Sequence, residues 1–178
     1  ILSTFYFRKS WFREAEPLFA QVASQLEAAG FGVLLPETRA PFILGMLYLA
    51  HARHCRPLGQ TETAHARLTQ CLELLAPYPE SAETADAWHN LGQLEQQTGA
   101  LAAAEAAYQR SLQIYRTLEQ PTGIASNLIS LGVLAKNRSD FDQAVSLYSE
   151  CMHIFAQRSD QRGIWTCLIN LGNIANVQ

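Results

Sequence analysis

Lysine is nearly missing from this chain: Lys9 and Lys136 stand against eleven arginines, a bias that assigns no function by itself. Acidic residues outnumber basic ones, 16 to 13, for a net charge of −3. That balance argues against a nucleic-acid partner, which is normally met by a basic stripe. No apolar run approaches the roughly eighteen residues that would span a bilayer, so no membrane partner is expected. No charged n-region, apolar h-region and small-residue cleavage site opens the chain, so a cytoplasmic protein is expected. There is no GxxxxGK[ST] loop for a nucleotide. The four cysteines, at 55, 71, 151 and 167, form no CxxC pair and no zinc-finger spacing. Small buried thiols are the preferred reading, with a disulfide as the lesser alternative.

What is present is 48% hydrophobic residues over 178 positions, enough for a core and too many for a disordered tail. Alanine and leucine, both strong helix formers, are abundant. The arrangement is periodic. Gly123–Gly132 set against Gly163–Gly172 matches at six of ten positions, at an offset of forty. Leu91-Gly92 falls on Leu131-Gly132 at the same offset, and Ala64, Ala104 and Ala144 are also forty apart. Tyr108 and Tyr148 match, as do Cys71, Ser111 and Cys151, a set of small residues. A further copy begins at Trp11-Phe12-Arg13-Glu14-Ala15 and continues to Phe19 and Val22.

Each unit reads as two helices. Leu128, Leu131 and Ala135 make one stripe at three- and four-residue spacing. Phe141, Ala144, Leu147, Tyr148 and Cys151 make another after a break at 137–140. Ser81 and Asp140 suit N-caps; Gly30, Gly99, Pro57 and Pro77 suit helix ends; Pro41 suits a first turn. The pattern predicts helices near 1–9, 11–29, 38–56, 61–76, 82–98, 101–119, 122–137, 140–158 and 161–178, and no strand.

These residues resemble the tetratricopeptide repeat. In that family a first helix carries large apolar residues followed by Leu-Gly, and a second carries Ala, an aromatic and a small residue. Here those are Trp88, Leu91, Gly92, Ala104, Tyr108 and Ser111, then Leu128, Leu131, Gly132, Ala144, Tyr148 and Cys151. His51 and Ala52 replace Leu-Gly in an earlier unit. The resemblance implies an all-α, right-handed superhelical solenoid of antiparallel helix pairs over 1–178. Its units would be 38–76, 82–119 and 122–158, with partial units at 1–30 and 161–178. The forty-residue period is similar to that of kinesin light chains and LGN-type adaptors, and to large bacterial regulators of the MalT or STAND type. With Ile1 in place of an initiator Met, it suggests a fragment of a larger protein.

No catalytic constellation assembles from the sequence, so no enzyme and no cofactor are expected. The pair His51 and Cys55 sits at i, i+4, a spacing open to a metal ion, but the repeat register favours the core. Glu83, Asp86, Glu105 and Asp142 read as solvated or capping carboxylates.

The resemblance places the first helix of each unit along a concave groove. Its outward stripe gives Arg53 and Arg56; His89, Asn90, Gln93 and Gln96; Ser130, Val133, Lys136 and Asn137; and Asn170 and Asn173. Asn90, Ser130 and Asn170 share one register position, where the family's Asn grips a peptide backbone. An amide suits that task because it both donates and accepts. The carboxylate-clamp pattern for chaperone tails wants Lys at position 89 or 129, which hold His89 and Ile129, so that partner is disfavoured. The expected function is a scaffold-like protein-interaction module binding a peptide or protein segment. The alternative is the sensor arm of a bacterial ATP-dependent signalling protein or transcription regulator. Leu168, Leu171 and Ala175 lack a partner helix, so the last helix is expected to dock on another copy or an extension, or to fray.

Overall fold

A computed structural model describes residues 40–176 together with Gln21, Ser24, Gln25 and Ala28. The copy expected at 1–30, with Trp11, Ala15, Phe19 and Val22, otherwise lies outside the described residues. Seven α-helices occur within residues 40–176: α1 Ala40–Cys55, α2 Thr61–Leu74, α3 Ala82–Thr98, α4 Leu101–Thr117, α5 Pro121–Asn137, α6 Phe141–Gln157 and α7 Gln161–Ala175. No strand occurs among them. The chain divides into two compact units, residues 1–79 and 80–178.

Local chemistry sets the helix ends. Pro57 has no N–H to continue the α-helical ladder, and α1 tightens into a 3-10 turn at Arg56–Leu58. The α2 helix stops at Leu74, short of the expected position 76, because Pro77 disfavours helical geometry at the residue before it. The side chain of Ser81 accepts from Thr84 N at 3.1 Å, and Asp140 Oδ1 accepts from Gln143 N at 3.2 Å. Both hold free N–H groups of a first turn, as the sequence indicates. Asp160 does the same for α7, accepting from Gly163 N at 3.0 Å.

In the first unit α1 packs on α2. Leu44, Tyr48, Ala52, Leu68, Cys71 and Leu75 are buried, and Arg67 lies over the Tyr48 ring at 4.9 Å.

In the second unit each of α3 to α7 packs on the next, and α3 also touches α5. The short connections make neighbours antiparallel. The Gly–Tyr repetition explains the closeness of the pairs. A Cβ at position 92 would come within 2.7 Å of the Tyr108 ring, and one at position 132 within 2.6 Å of Tyr148. Glycine there lets an aromatic ring of the second helix lie on the backbone of the first. A core of Tyr108, Leu112, Ala125, Leu128, Leu134, Cys151 and Cys167 runs from α4 to α7. This is an all-α solenoid of helix pairs.

Candidate functional site

The stripe predicted from the register is carried by α3, α5 and α7 in the second unit. Its shared position forms the same bond three times. Asn90 Nδ2 donates to Asp86 O at 2.7 Å, Ser130 Oγ to Ser126 O at 3.1 Å, and Asn170 Nδ2 to Thr166 O at 2.9 Å. Each side chain donates to the carbonyl one turn back on its own helix. In the two Asn residues this orients the amide and leaves Oδ1, an acceptor, as the end of the group directed away from that carbonyl. Ser130 and Asn170 are half-buried, while Asn90 is only 8% exposed.

Further along the stripe, Val133 and Lys136 are half-buried, and Asn137 and Asn173 are exposed. On α3, His89, Gln93 and Gln96 are half-buried and held by internal bonds. Gln96 Oε1 accepts from the Tyr108 hydroxyl at 2.8 Å. Gln93 Nε2 lies 3.0 Å from His89 Nε2, and His89 Nδ1 lies 2.9 Å from Asn127 Oδ1.

Asn127 is the residue that sequence reasoning misses. It is fully buried and donates through Nδ2 to Ser111 Oγ and to Gly123 O, both at 2.9 Å. With both donors used, its Oδ1 accepts from His89, so His89 carries its proton on Nδ1. Nε2 of the neutral ring then accepts from Gln93. The chain Gln93–His89–Asn127–Ser111 ties α3, α4 and α5 together. A signal for it exists in the repeat. At the positions of Ser111 and Asn127 the following unit has Cys151 and Cys167, both fully buried, so this interface carries a polar pair where the next carries thiols.

Asp86 is also engaged. Its Oδ1 accepts from the Tyr115 hydroxyl at 2.5 Å. The charge relation of Glu105 is to Arg138, as an exposed ion pair of the kind that contributes little to stability. The stripe therefore offers hydrogen-bonding groups rather than an acid–base pair.

In the first unit, Arg53 is exposed and Arg56 half-buried. Burial pushes the Cys71 thiol up to about 12, with the nearby Arg53 charge acting against the rise. His51 and Cys55 are both buried in the core of this unit, and no group of three His, Cys, Asp or Glu among the described residues is arranged for a metal ion. An apolar hollow of about 380 Å³ is lined by Phe42, Ile43, Met46 and Tyr78, with the Phe42 and Tyr78 rings edge to face at 5.1 Å. No helix among the described residues is long and apolar enough to cross a membrane.

Residues 43–117 match the tetratricopeptide repeat family. That segment carries tetratricopeptide repeats. Solved structures agree on the fold. The chain is similar to a putative kinesin light chain from Podosopora anserina with nearly identical TPR-like repeats, at 19% identity and a TM-score of 0.74, covering 98% of this chain and 82% of that one. It is similar to BtubC (BKLC) from P. vanneervenii at 18% identity and a TM-score of 0.72, covering 99% of this chain and 78% of that one. It is similar to the apo form of RapI at 15% identity and a TM-score of 0.82, covering 98% of this chain and 61% of that one. At these identities the likeness is one of fold. No curated protein matches the chain. The tetratricopeptide repeat fold in general supports a protein-interaction module.

Proposed function

We infer that this tetratricopeptide segment is a non-catalytic scaffold that takes an extended peptide or protein segment along the stripe of α3, α5 and α7. The observation that carries the reading is the shared bond of Asn90, Ser130 and Asn170 at forty-residue spacing. Helices of one unit thus repeat the same oriented polar group. The two Asn oxygens suit backbone N–H groups of an extended segment, which has donors to satisfy along its length. Lys136 beside the stripe suits an acidic-to-neutral segment. The four free, buried thiols fit a reducing compartment, which supports a cytoplasmic setting.

The test is direct. The chain is used to select binders from a displayed library of random twelve-residue peptides, and a recovered peptide is titrated by calorimetry. Asn90→Ala combined with Asn170→Ala is expected to weaken binding roughly tenfold or more, since each bond to a peptide group is worth about 1 kcal/mol. An affinity unchanged by the double substitution, or a library that yields no binder, overturns the reading.

A further inference from the structure

A bond from an asparagine oxygen to a peptide N–H grips a backbone that every sequence shares, so Asn90 and Asn170 do not tell one segment from another. Sequence has to be read by other side chains of the stripe. On α3 the polar groups are already engaged inside the unit. Asp86 accepts from the Tyr115 hydroxyl, and Gln96 accepts from the Tyr108 hydroxyl. Gln93 and His89 are joined in the chain that reaches Asn127. Turning to a ligand would cost each of these groups a bond it already has.

The equivalent positions of α5 differ in kind. Ile129 stands forty residues after His89, Val133 after Gln93, and Lys136 after Gln96. Val133 follows Ile129 by four residues and Lys136 follows Val133 by three, so the three share one face over about two turns. All three are half-buried, and Ile129 leans on the core of the unit. Two β-branched side chains thus form a stiff, shallow apolar ledge beside Ser130.

Lys136 is turned away from the interior. Where Gln96 meets the Tyr108 hydroxyl, Lys136 leaves the Tyr148 hydroxyl buried with no hydrogen-bond partner among the described residues. An ammonium directed inward would have donated to that oxygen. Nor does a carboxylate hold Lys136 on the outside. No Asp or Glu occurs on α5. Glu105 is paired with Arg138, and Asp140 caps α6 through the Gln143 N–H. Lys136 makes no hydrogen bond and no ion pair among the described residues.

We propose that Ile129, Val133 and Lys136 are the specificity-determining residues of the stripe, and that they select a segment carrying an apolar side chain with a carboxylate one or two residues from it. This rests on the reading that the bound segment crosses α5 beside Ser130. The ledge takes the apolar side chain. Lys136 supplies the only charge on α5, and an acidic side chain complements it. Lys136 lies about 4.5 Å along the helix from Val133, and an extended chain advances roughly 3.3 Å per residue, which sets the spacing of the two groups. A basic segment would oppose Lys136, and a wholly apolar one would cover its charge without pairing it.

The peptides recovered from the displayed library are aligned, and one is titrated against variants of the chain. The alignment is expected to show an apolar residue with Asp or Glu one or two positions from it. Lys136→Glu is expected to weaken the parent peptide roughly tenfold, and a peptide whose acidic residue is changed to Lys is expected to recover that loss on the Lys136→Glu chain. Val133→Asp is expected to weaken binding roughly tenfold or more, by setting a carboxylate under the apolar side chain. Circular dichroism melts check that each variant folds; if Val133→Asp does not, Val133→Ala and a peptide with Ser at its apolar position carry the same test. An alignment without the pattern overturns the proposal. So does binding that is lost with Asn90→Ala and Asn170→Ala yet indifferent to either Lys136→Glu or loss of the peptide's apolar residue, and that result leaves the backbone grip standing. Binding that needs Val133 and Lys136 but ignores the Asn substitutions upholds the proposal and overturns the grip alone. A library without a binder removes both.

Discussion

Two tyrosines at equivalent repeat positions end in different surroundings. The Tyr108 hydroxyl donates to Gln96 at 2.8 Å. The Tyr148 hydroxyl is buried with no hydrogen-bond partner among the described residues, and position 136, equivalent to Gln96, holds Lys136. Burial, with the neighbouring Cys167 and Cys151 thiols, pushes Tyr148 up to about 12. An unmet buried hydroxyl costs free energy, whereas a met one returns about 1 kcal/mol net. Tyr108→Phe is therefore expected to lower the unfolding free energy by about 1 kcal/mol, while Tyr148→Phe leaves it unchanged or raises it by up to about 1 kcal/mol. Urea denaturation of the two variants checks this; an equal loss in both would refute it. The repeat made the two rings legible as one packing device. The fate of each hydroxyl was not legible, because it depends on a partner twelve residues away on another helix.

At the scale of the element, the turns that end the helices use the left-handed backbone region. Gly59 and Gly99, between the helices of a pair, have φ of 75° and 85°. The next turn of that kind has Ser139 at φ 63°, and the turns between pairs have Glu119 at 51° and Ser159 at 55°. A side chain with a Cβ is disfavoured there, and glycine is not. Ser139→Gly is expected to stabilise the second unit by about 1 kcal/mol, the left-handed penalty partly offset by glycine's larger unfolded-state entropy. A thermal melt that shifts down with this substitution would overturn the expectation. The helices themselves were largely legible in sequence, since stripe, cap and breaker are local features. Their ends moved by a few residues where a proline acted through its neighbour, as Pro77 does on α2.

For the whole molecule, thiols carry a pH consequence. Burial raises Cys71 from 9.0 to about 12 and pushes Cys151 and Cys167 up as well. In the unfolded chain these thiols lose their protons from about pH 9, while the folded chain keeps them. Above that pH the unfolded state binds fewer protons than the folded state, so stability falls as pH rises through the window from about 9 to 12. The expected slope is on the order of 1–3 kcal/mol per pH unit, read from denaturant midpoints between about pH 8 and pH 10.5. A flat profile would show that the thiols are reached by water in the fold.

The forty-residue period and the two-helix unit were determined by sequence alone, because helix stripes and close-contact residues repeat along the chain; that Tyr108 and Tyr148 lie on Gly92 and Gly132 of their own pair was decided by the packing. The stripe of Asn90, Ser130 and Asn170 was legible as positions. Only tertiary structure decided what those groups and their neighbours do. His89 meets Asn127 across 38 residues, and Asn127 meets Ser111 inside the packing of three helices. Trp165 likewise stands 64% exposed where its repeat equivalent Ala125 is buried, because burial depends on what packs against a helix and the helix itself sets only the direction in which a side chain points.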